Sequence, residues 1–265
     1  MKKIIGIILI FLAVFFIVDY KKNNSYFSGI KKRGVLLVGT TGDYRPMSFY
    51  NKDTNTYEGF DIALAQDLAD SLNVKLKFIP TNWKSLMQDT IEEKFDVALS
   101  GITITETRKQ SQLMSKGYLD NGKTVLCRSE DAKKYTSIDK INKKNVRVME
   151  NPGGLNEQFA RENLPEAELI IHNVNEEIPL LIALGKADVM ITEIIEAKYY
   201  VLKDKRLSAP IADTPFTKGQ IGMLLPKKNK RLLNYVNKFI DEENKNGRLE
   251  ELKAIYIDNN KGNYK

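Results

Sequence analysis

A chain of 265 residues with 42% hydrophobic and 28% charged residues has the composition of a folded globular protein, which argues against an intrinsically disordered chain. The formal net charge is +7, but residues 1–34 hold seven Lys or Arg against a single Asp, and the remainder has 34 basic and 33 acidic residues. The rest of the chain is therefore close to neutral, and the sequence predicts no nucleic-acid partner.

The N-terminus carries two lysines and then an unbroken apolar run of 15 residues from Ile4 to Val18. This run is short for a membrane span, which needs about 20 residues, and it fits the apolar core of a signal peptide. We therefore predict export to the periplasm, with residues 1–34 as signal peptide and linker. Because no small-residue cleavage site follows Val18, an inner-membrane anchor at residues 4–18 remains the alternative and would be the only membrane contact.

One cysteine, Cys127, excludes an internal disulfide, and its apolar neighbours predict a small core residue. The chain has one histidine, His172, and neither a CxxC nor an HExxH pattern. The sequence therefore predicts neither a Cys/His nucleophile nor a metal site.

After residue 34, short apolar runs alternate with helical patterns. Residues 35–40, 74–79 and 95–99 have the pattern of strands, and helical periodicity covers residues 60–72 and 83–93. This βαβαβ order predicts an open, mostly parallel sheet with helices on its faces.

The second half of the chain repeats this order of elements. We predict strands at residues 145–149, 168–172 and 187–192, with helices at residues 155–162 and 176–184. The stretches KFDVAL (94–99) and KADVMI (186–191) resemble each other, and each follows a predicted helix. The repetition predicts two similar α/β lobes.

The end of the chain holds an apolar strand at residues 222–226 and amphipathic helices at 230–245 and 249–256. If that strand returns to the first lobe, the chain crosses twice between the lobes, and the double crossing forms a hinge beside a ligand cleft. We predict lobe 1 from residues 35–126 and 224–262, and lobe 2 from residues 127–223.

Ligands of open α/β sheets bind beyond the carboxyl ends of the strands, where this chain has polar segments. In SGITITETR, Arg108 can bind a carboxylate through two hydrogen bonds, helped by Thr103 and by the backbone of Ser100 and Gly101. A solvent-exposed arginine in a surface turn is the alternative.

Two further segments supply candidate ligand groups. ENPGG precedes a helix that begins at Leu155, so backbone N–H groups can face a second carboxylate. The candidates there are Asn151, Gly153, Gly154 and Asn156. Tyr44 and Trp83 can form an aromatic floor, although core positions explain both equally well.

Two glutamates follow the last strand of the second lobe. Glu193 and Glu196 are three residues apart, so they share one face if a helix begins after Thr192. Two solvated carboxylates at a helix N-terminus are the plain alternative.

A family resemblance appears in VGTTGDYRPMSFYN, EGFDIALAQDLADSLNVKLKFIPTNW, DVALSGITITETRKQ and GKADVMITE. These segments resemble periplasmic solute-binding proteins for polar amino acids over residues 35–257. The resemblance implies the periplasmic-binding-protein type 2 fold, with two α/β lobes joined by a double-crossover hinge around a ligand cleft. In that family the SGxTxTxxR turn binds the ligand carboxylate, and Glu193 occupies the position of an Asp that pairs with a ligand ammonium.

A narrower resemblance comes from TTGDYRPMSFY, PTNWKSLMQD, VRVMENPGGLNEQFARENLPEAELIIH and the ending TExxEA. They resemble cyclohexadienyl dehydratases, which have the same fold and remove water and carbon dioxide from prephenate or arogenate without a cofactor. Glu196 matches the glutamate that these enzymes use as general acid, which requires a pKa above the ordinary value of about 4.3.

Two departures weaken the enzyme interpretation: Leu155 replaces a Thr of the dehydratase pattern, and Glu193 is one methylene longer than Asp. The competing hypothesis is an amino-acid receptor of an ABC importer, with the permease of that importer as its partner. In such a receptor Glu193 pairs with the ligand ammonium, and Glu196 binds a polar or basic side chain of the ligand. The expected ligand is accordingly a small dicarboxylate or an amino acid. A membrane-anchored interaction module is a third, less economical hypothesis.

Overall fold

The computed structural model describes residues 26–258, so the predicted signal peptide or anchor at residues 4–18 and the predicted end of lobe 1 after residue 258 lie outside the described residues. Helix α1 covers residues 26–33, where Ile30 is only 2% exposed and belongs to the core of lobe 1. Those residues are therefore part of the lobe, and the predicted linker is wrong there. No helix within residues 26–258 is long and apolar enough to cross a membrane.

The first part of lobe 1 follows the predicted order of strands and helices. Its elements are β1 (Val35–Thr40), β2 (Asp43–Tyr44), β3 (Ser48–Asn51), β4 (Thr56–Glu58), α2 (Phe60–Ser71), β5 (Lys75–Pro80), α3 (Leu86–Ile91), β6 (Val97–Ala98), α4 (Glu106–Ser111) and β7 (Leu113–Met114). The predicted apolar face of α2 is buried, because Phe60, Leu64 and Leu68 are all 0% exposed.

The sheet of lobe 1 has the order β5-β1-β6-β15-β7, in which β15 (Leu224–Leu225) comes from the end of the chain. Strand β1 is parallel to β5 and β6, whereas β15 is antiparallel to β6 and β7. Four strands thus run in one direction and the returning strand runs against them, as expected for a mostly parallel sheet.

Lobe 2 has the same architecture. Its elements are β9 (Lys123–Arg128), α5 (Ile138–Ile141), β10 (Arg147–Glu150), α6 (Leu155–Asn163), β11 (Glu168–Ile171), α7 (Ile178–Ala183), β12 (Val189–Glu193), α8 (Ile194–Lys203) and β13 (Leu207–Ser208). The sheet order is β11-β10-β12-β9-β13, and β9, the strand that enters from lobe 1, is the reversed one.

The two crossings between the lobes lie side by side, because β8 (Leu119–Asn121) pairs antiparallel with β14 (Gly219–Ile221). Strand β9 belongs to the second sheet along its whole length, so the predicted boundary between residues 126 and 127 falls inside a lobe 2 strand. We therefore propose that lobe 2 begins near residue 122.

The C-terminal helices α9 (Lys230–Lys245) and α10 (Arg248–Lys253) and a final π-helical turn (Ala254–Asp258) cover lobe 1. Val236, Phe239 and Leu252 are buried in the same apolar cluster as strand β1 and helix α2. Lobe 2 has its own apolar clusters, in which Cys127 is buried as predicted. Each lobe is thus stabilised by its own core, which leaves the cleft between them free for polar groups.

Candidate active site

A cavity with an atom-free volume of about 350 Å³ lies between the lobes. This volume includes space that is open to solvent, and side chains of both lobes form its wall. The lining residues from lobe 1 are Tyr44, Trp83, Gly101, Thr103 and Arg108, and those from lobe 2 are Lys123, Asn151, Gly154, Leu155, Asn156, Asn175 and Glu193.

Nine of the twelve residues predicted from the sequence contribute to this wall. Ser100, Gly153 and Glu196 do not, and each makes a hydrogen bond to another protein group. Sequence reasoning missed Lys123 and Asn175. The roles of the twelve residues stay predictions, but the structure determines which of their polar groups are left for a ligand.

The aromatic part of the wall is formed by Tyr44 and Trp83. Their rings meet edge to face, with centroids 5.7 Å apart at 78°, and Trp83 Nε1 donates to Asp43 Oδ1 at 3.0 Å. These contacts fix both rings, so they offer a rigid apolar surface to a ligand ring.

Arg108 is the cation that lobe 1 presents to the cavity. Thr105 caps the N-terminus of helix α4, and its hydroxyl accepts a hydrogen bond from the Arg108 backbone N–H. Arg108 Nη1 donates to the Thr103 carbonyl at 2.6 Å. Burial lowers the pKa of the guanidinium to about 10, opposed by the nearby Glu193 carboxylate, so Arg108 stays charged at neutral pH. It can bind one ligand carboxylate.

The predicted helpers of Arg108 are used elsewhere. The Gly101 N–H donates to Asp61 Oδ2 at 2.5 Å, and the Thr103 hydroxyl donates to Glu193 Oε1 at 2.5 Å. The Ser100 hydroxyl bonds with that of Thr41 at 2.7 Å. The Gly101 N–H and the Thr103 hydroxyl are therefore not available to a ligand as predicted, because protein acceptors already occupy them, whereas the role of the Ser100 backbone stays a prediction.

The first glycine of ENPGG, Gly153, has a steric role. Gly153 has φ +85°, its N–H donates to Glu157 Oε2 at 2.6 Å, and a Cβ there would lie 2.6 Å from Lys84 Cα. At Gly154, a Cβ would be 3.8 Å from Trp83. Gly153 thus permits close approach of the lobes, whereas a Cβ at Gly154 would make only an ordinary contact, and the Gly153 N–H is not available to a ligand as predicted.

Glu193, at the end of β12, is 4% exposed and accepts four hydrogen bonds. Oε2 accepts from the Tyr44 hydroxyl at 2.8 Å and from Asn121 Nδ2 at 3.0 Å. Oε1 accepts from the Thr103 hydroxyl and, at 3.0 Å, from Lys123 Nζ. These bonds fill the four acceptor positions of a carboxylate.

The electrostatics of Glu193 are set by opposing effects. Burial by itself raises the pKa of its carboxyl, but the Lys123 ammonium and the hydroxyls of Thr103 and Tyr44 outweigh burial, so the pKa is below its ordinary value. Glu193 is therefore ionised and paired with Lys123 at neutral pH.

Lys123 is the second cation of the cavity wall, 7% exposed, and its ammonium also donates to Asn156 Oδ1. It lies directly opposite Glu193 in the antiparallel pairing of β9 with β12. The signal that could have revealed it is the lysine that precedes the apolar TVLCR strand. Its position opposite Glu193 follows only from the register of the antiparallel strand pair, which the sequence does not show.

Glu196 lies in the first turn of α8 and is 0% exposed. Its Oε1 accepts from Asn175 Nδ2 at 2.9 Å, and its Oε2 accepts from the Thr192 hydroxyl. Burial raises the pKa of Glu196 to about 8, with Asp43 and Glu193 adding to the shift and the two hydrogen bonds opposing it. Glu196 is thus mainly protonated at neutral pH, one turn away from an ionised carboxylate.

Asn175 separates Glu196 from the cavity. It follows β11 in a short 3-10 turn (Asn175–Glu177), and its Nδ2 donates both to Glu196 and to the Asp43 carbonyl of lobe 1 at 3.0 Å. Within residues 26–258, no group of three or more His, Cys, Asp or Glu side chains could hold a metal ion. In the described part of the wall, Arg108 and Lys123 can bind anions, and the protonated carboxyl of Glu196 lies close behind Asn175.

The chain matches the family model for bacterial extracellular solute-binding proteins, family 3, over residues 36–259. It is 36% identical over 240 residues to cyclohexadienyl dehydratase of Pseudomonas aeruginosa, covering 91% of this chain and 89% of that protein. It is 28% identical over 223 residues to the L-cystine-binding protein TcyJ of Escherichia coli, covering 84% and 82% of the two chains.

Two solved structures give the same pattern of similarity. An ancestral amino-acid-binding protein, described as a precursor of cyclohexadienyl dehydratase, matches with a TM-score of 0.80 at 35% identity, covering 87% of this chain and 99% of that one. An ancestral cyclohexadienyl dehydratase matches with a TM-score of 0.55 at 45% identity, covering 88% and 96%. The predicted type 2 fold with two lobes is thereby confirmed.

Proposed function

Because the chain belongs to family 3 of the bacterial extracellular solute-binding proteins, we propose that it acts in the periplasm as a cyclohexadienyl dehydratase, a lyase that converts prephenate to phenylpyruvate and arogenate to phenylalanine. The similarity to both an enzyme and amino-acid-binding proteins leaves the choice between catalysis and binding to the site itself.

The observation that carries the proposal is the saturation of Glu193. An amino-acid receptor needs a carboxylate acceptor for the ligand ammonium, yet Tyr44, Thr103, Asn121 and Lys123 already occupy the acceptor positions of Glu193. With Arg108 and Lys123 against one ionised carboxylate, the cavity wall has an excess positive charge. This charge balance favours an anionic ligand such as prephenate over a zwitterionic amino acid.

Glu196 is the proposed general acid, since its carboxyl lies close behind the cavity wall and holds a proton at neutral pH. It lies behind Asn175, so its carboxyl must turn past that amide to reach a ligand. Arg108 binds one substrate carboxylate, and the remaining N–H of Lys123 together with the Asn156 amide binds the second. Tyr44 and Trp83 contact the ring.

The reaction then proceeds without a cofactor. The Glu196 proton passes to the ring hydroxyl, the carbon–oxygen bond breaks, and water leaves. The bond to the ring carboxylate breaks at the same time, carbon dioxide leaves, and its electron pair completes the aromatic ring. The solvent later returns a proton to Glu196. Leu155, in place of the threonine of the dehydratase pattern, adds apolar surface instead of a hydroxyl, so we expect the two cations to account for most of the carboxylate binding.

The test is phenylpyruvate formation from prephenate by the purified protein at pH 7, compared with a buffer blank because the substrate can aromatise unaided. We expect turnover in the wild type and a loss of about 10²-fold or more in Glu196→Gln, which cannot donate a carboxylic proton. The matched control is Glu106→Gln at an exposed helix position. A wild-type rate equal to the blank, with an amino acid raising the melting temperature, would replace the enzyme by a receptor that delivers its ligand to an ABC permease.

A further inference from the structure

One polar atom near the cavity has no protein partner. Asn175 is 2% exposed and lines the cavity, and its Oδ1 accepts no hydrogen bond from any described group. A buried amide oxygen without a partner is unfavourable, so such an atom in a cavity wall indicates a binding position.

The orientation of the Asn175 amide is determined by its neighbours. Nδ2 donates to the Asp43 backbone carbonyl at 3.0 Å, and a carbonyl can only accept hydrogen bonds. The second N–H of the same nitrogen donates to Glu196 Oε1 at 2.9 Å. Both hydrogens of the amide are therefore used, and Oδ1 is the atom that remains for a ligand.

We propose that Asn175 binds the ring hydroxyl that leaves the substrate, accepting its hydrogen at Oδ1 and so holding the leaving oxygen next to Glu196. Glu196 lies on the other side of the same amide, within one hydrogen bond of it. The leaving oxygen would thus be held at the amide that lies between the cavity and Glu196. This assignment rests on the proposed function.

The bond to Asn175 would become stronger during the reaction. As the hydroxyl oxygen receives the proton, its hydrogens become more acidic, and an amide oxygen already in place stabilises that change without reorganising. The bond from Asn175 to the Asp43 carbonyl joins lobe 2 to lobe 1, so the amide takes this orientation only when the lobes are together. Asn175 thereby connects closure of the cleft with alignment of the leaving group.

The test compares Asn175→Leu, which has a similar shape and no amide, with Asn173→Leu, the same substitution at an exposed position two residues away. We expect kcat for prephenate to fall at least about tenfold in Asn175→Leu, with a smaller change in KM, because the lost bond is strongest in the transition state. Binding of phenylpyruvate, which lacks the ring hydroxyl, should change by about twofold or less.

Asn175→Ala, which adds no apolar bulk, is measured alongside, and the melting temperature of each variant reports folding. A kcat within about twofold of the wild type in a folded Asn175 variant would overturn the assignment, as would an equal loss of phenylpyruvate binding, and loss of folding in both would make the residue purely structural. If the wild type has no activity, the proposed function itself fails, and that result is distinct from the others.

Discussion

Glu193 and Glu196 are one helical turn apart, yet the pKa of one is lowered and that of the other is raised. Both carboxyls are buried, so burial alone does not distinguish them. The difference is that Glu193 receives an ammonium, whereas Glu196 receives an amide and a hydroxyl, which offset less of the desolvation. The two residues are of the same type and are both buried, so their different hydrogen-bond partners determine which carboxyl is ionised at neutral pH.

Lys123→Met tests this assignment at the residue scale. Removing the ammonium frees one acceptor position of Glu193 and leaves a buried carboxylate that an ammonium can neutralise. We expect the affinity for L-phenylalanine, measured by titration calorimetry, to rise about tenfold, and kcat/KM for prephenate to fall by about tenfold or more.

The control for that experiment is Lys198→Met, which removes an exposed lysine paired with Asp213. It should leave both quantities unchanged, because an exposed pair contributes little. An unchanged phenylalanine affinity in Lys123→Met would show that the ammonium does not determine the choice of ligand.

The turn after β6 shows how an element positions the site. Gly101 has φ +67°, and a Cβ there would lie 2.5 Å from Cδ1 of Tyr44, one of the two aromatic walls. The same turn places the Gly101 N–H on Asp61, a carboxyl in the first turn of α2 whose pKa burial raises to about 7. The turn, the first helix and the aromatic wall therefore form one packed unit.

Gly101→Ala should disturb this unit. The substitution introduces a left-handed alanine, which costs roughly 1 kcal/mol, and the clash with the Tyr44 ring adds to that cost. Gly247→Ala is the matched control, because φ is +84° and nothing lies within 4 Å of a Cβ there.

We expect the melting temperature to fall by about 2–4 °C in Gly247→Ala and by clearly more in Gly101→Ala. The specificity constant kcat/KM for prephenate should fall about tenfold or more only in Gly101→Ala, because the added Cβ displaces the Tyr44 ring. Equal melting temperatures in the two variants would mean that the Tyr44 ring can move away from the added Cβ without destabilising the protein.

Over the whole molecule, the two lobes are joined at the cleft by hydrogen bonds between their polar groups. Tyr44 and Thr103 from lobe 1 bond to Glu193 of lobe 2, and Asn175 of lobe 2 bonds to Asp43 of lobe 1. These contacts bury carboxyls, and burial raises the pKa of Glu196 above its ordinary value of 4.5. Stability therefore depends on pH through the groups that form the site.

The sign follows from the unfolded state. Glu196 favours the folded protein fully below about pH 4.5, and this contribution is lost as the pH rises to about 8, because the unfolded carboxyl ionises first. Relative to Glu196→Gln, the wild type should lose about 1 kcal/mol, or about 2–4 °C of melting temperature, per pH unit across that window.

Thermal melting at pH 5, 6.5 and 8 measures this difference. Asp61 titrates in both proteins without a direct interaction with Glu196, so its effect cancels in the comparison, whereas Asp43 and Glu150 interact with the Glu196 carboxylate and contribute to the difference. Parallel curves for the wild type and Glu196→Gln would contradict the raised pKa of Glu196.

Sequence patterns predict the two lobes, the order of their strands and helices, and most of the cavity wall. They can do so because periodicity is local and because parallel strands present their ends at one edge, where TTGDYRP and SGITITETR had to meet. The resemblance of the same segments to solute-binding proteins agreed with that reasoning. The boundary inside β9 and helix α1 were missed, since neither has a distinctive local pattern.

The polar groups that remain available to a ligand could not be predicted from the sequence, because they depend on contacts between distant parts of the chain. Lys123 meets Glu193 through the register of an antiparallel strand pair, and Tyr44 reaches the same carboxylate 149 positions along the chain. Asn175 takes its orientation from a carbonyl of the opposite lobe. Such contacts depend on strand register and on the docking of the lobes, and the pKa of a buried carboxyl depends on both, so no local pattern in the sequence contains them.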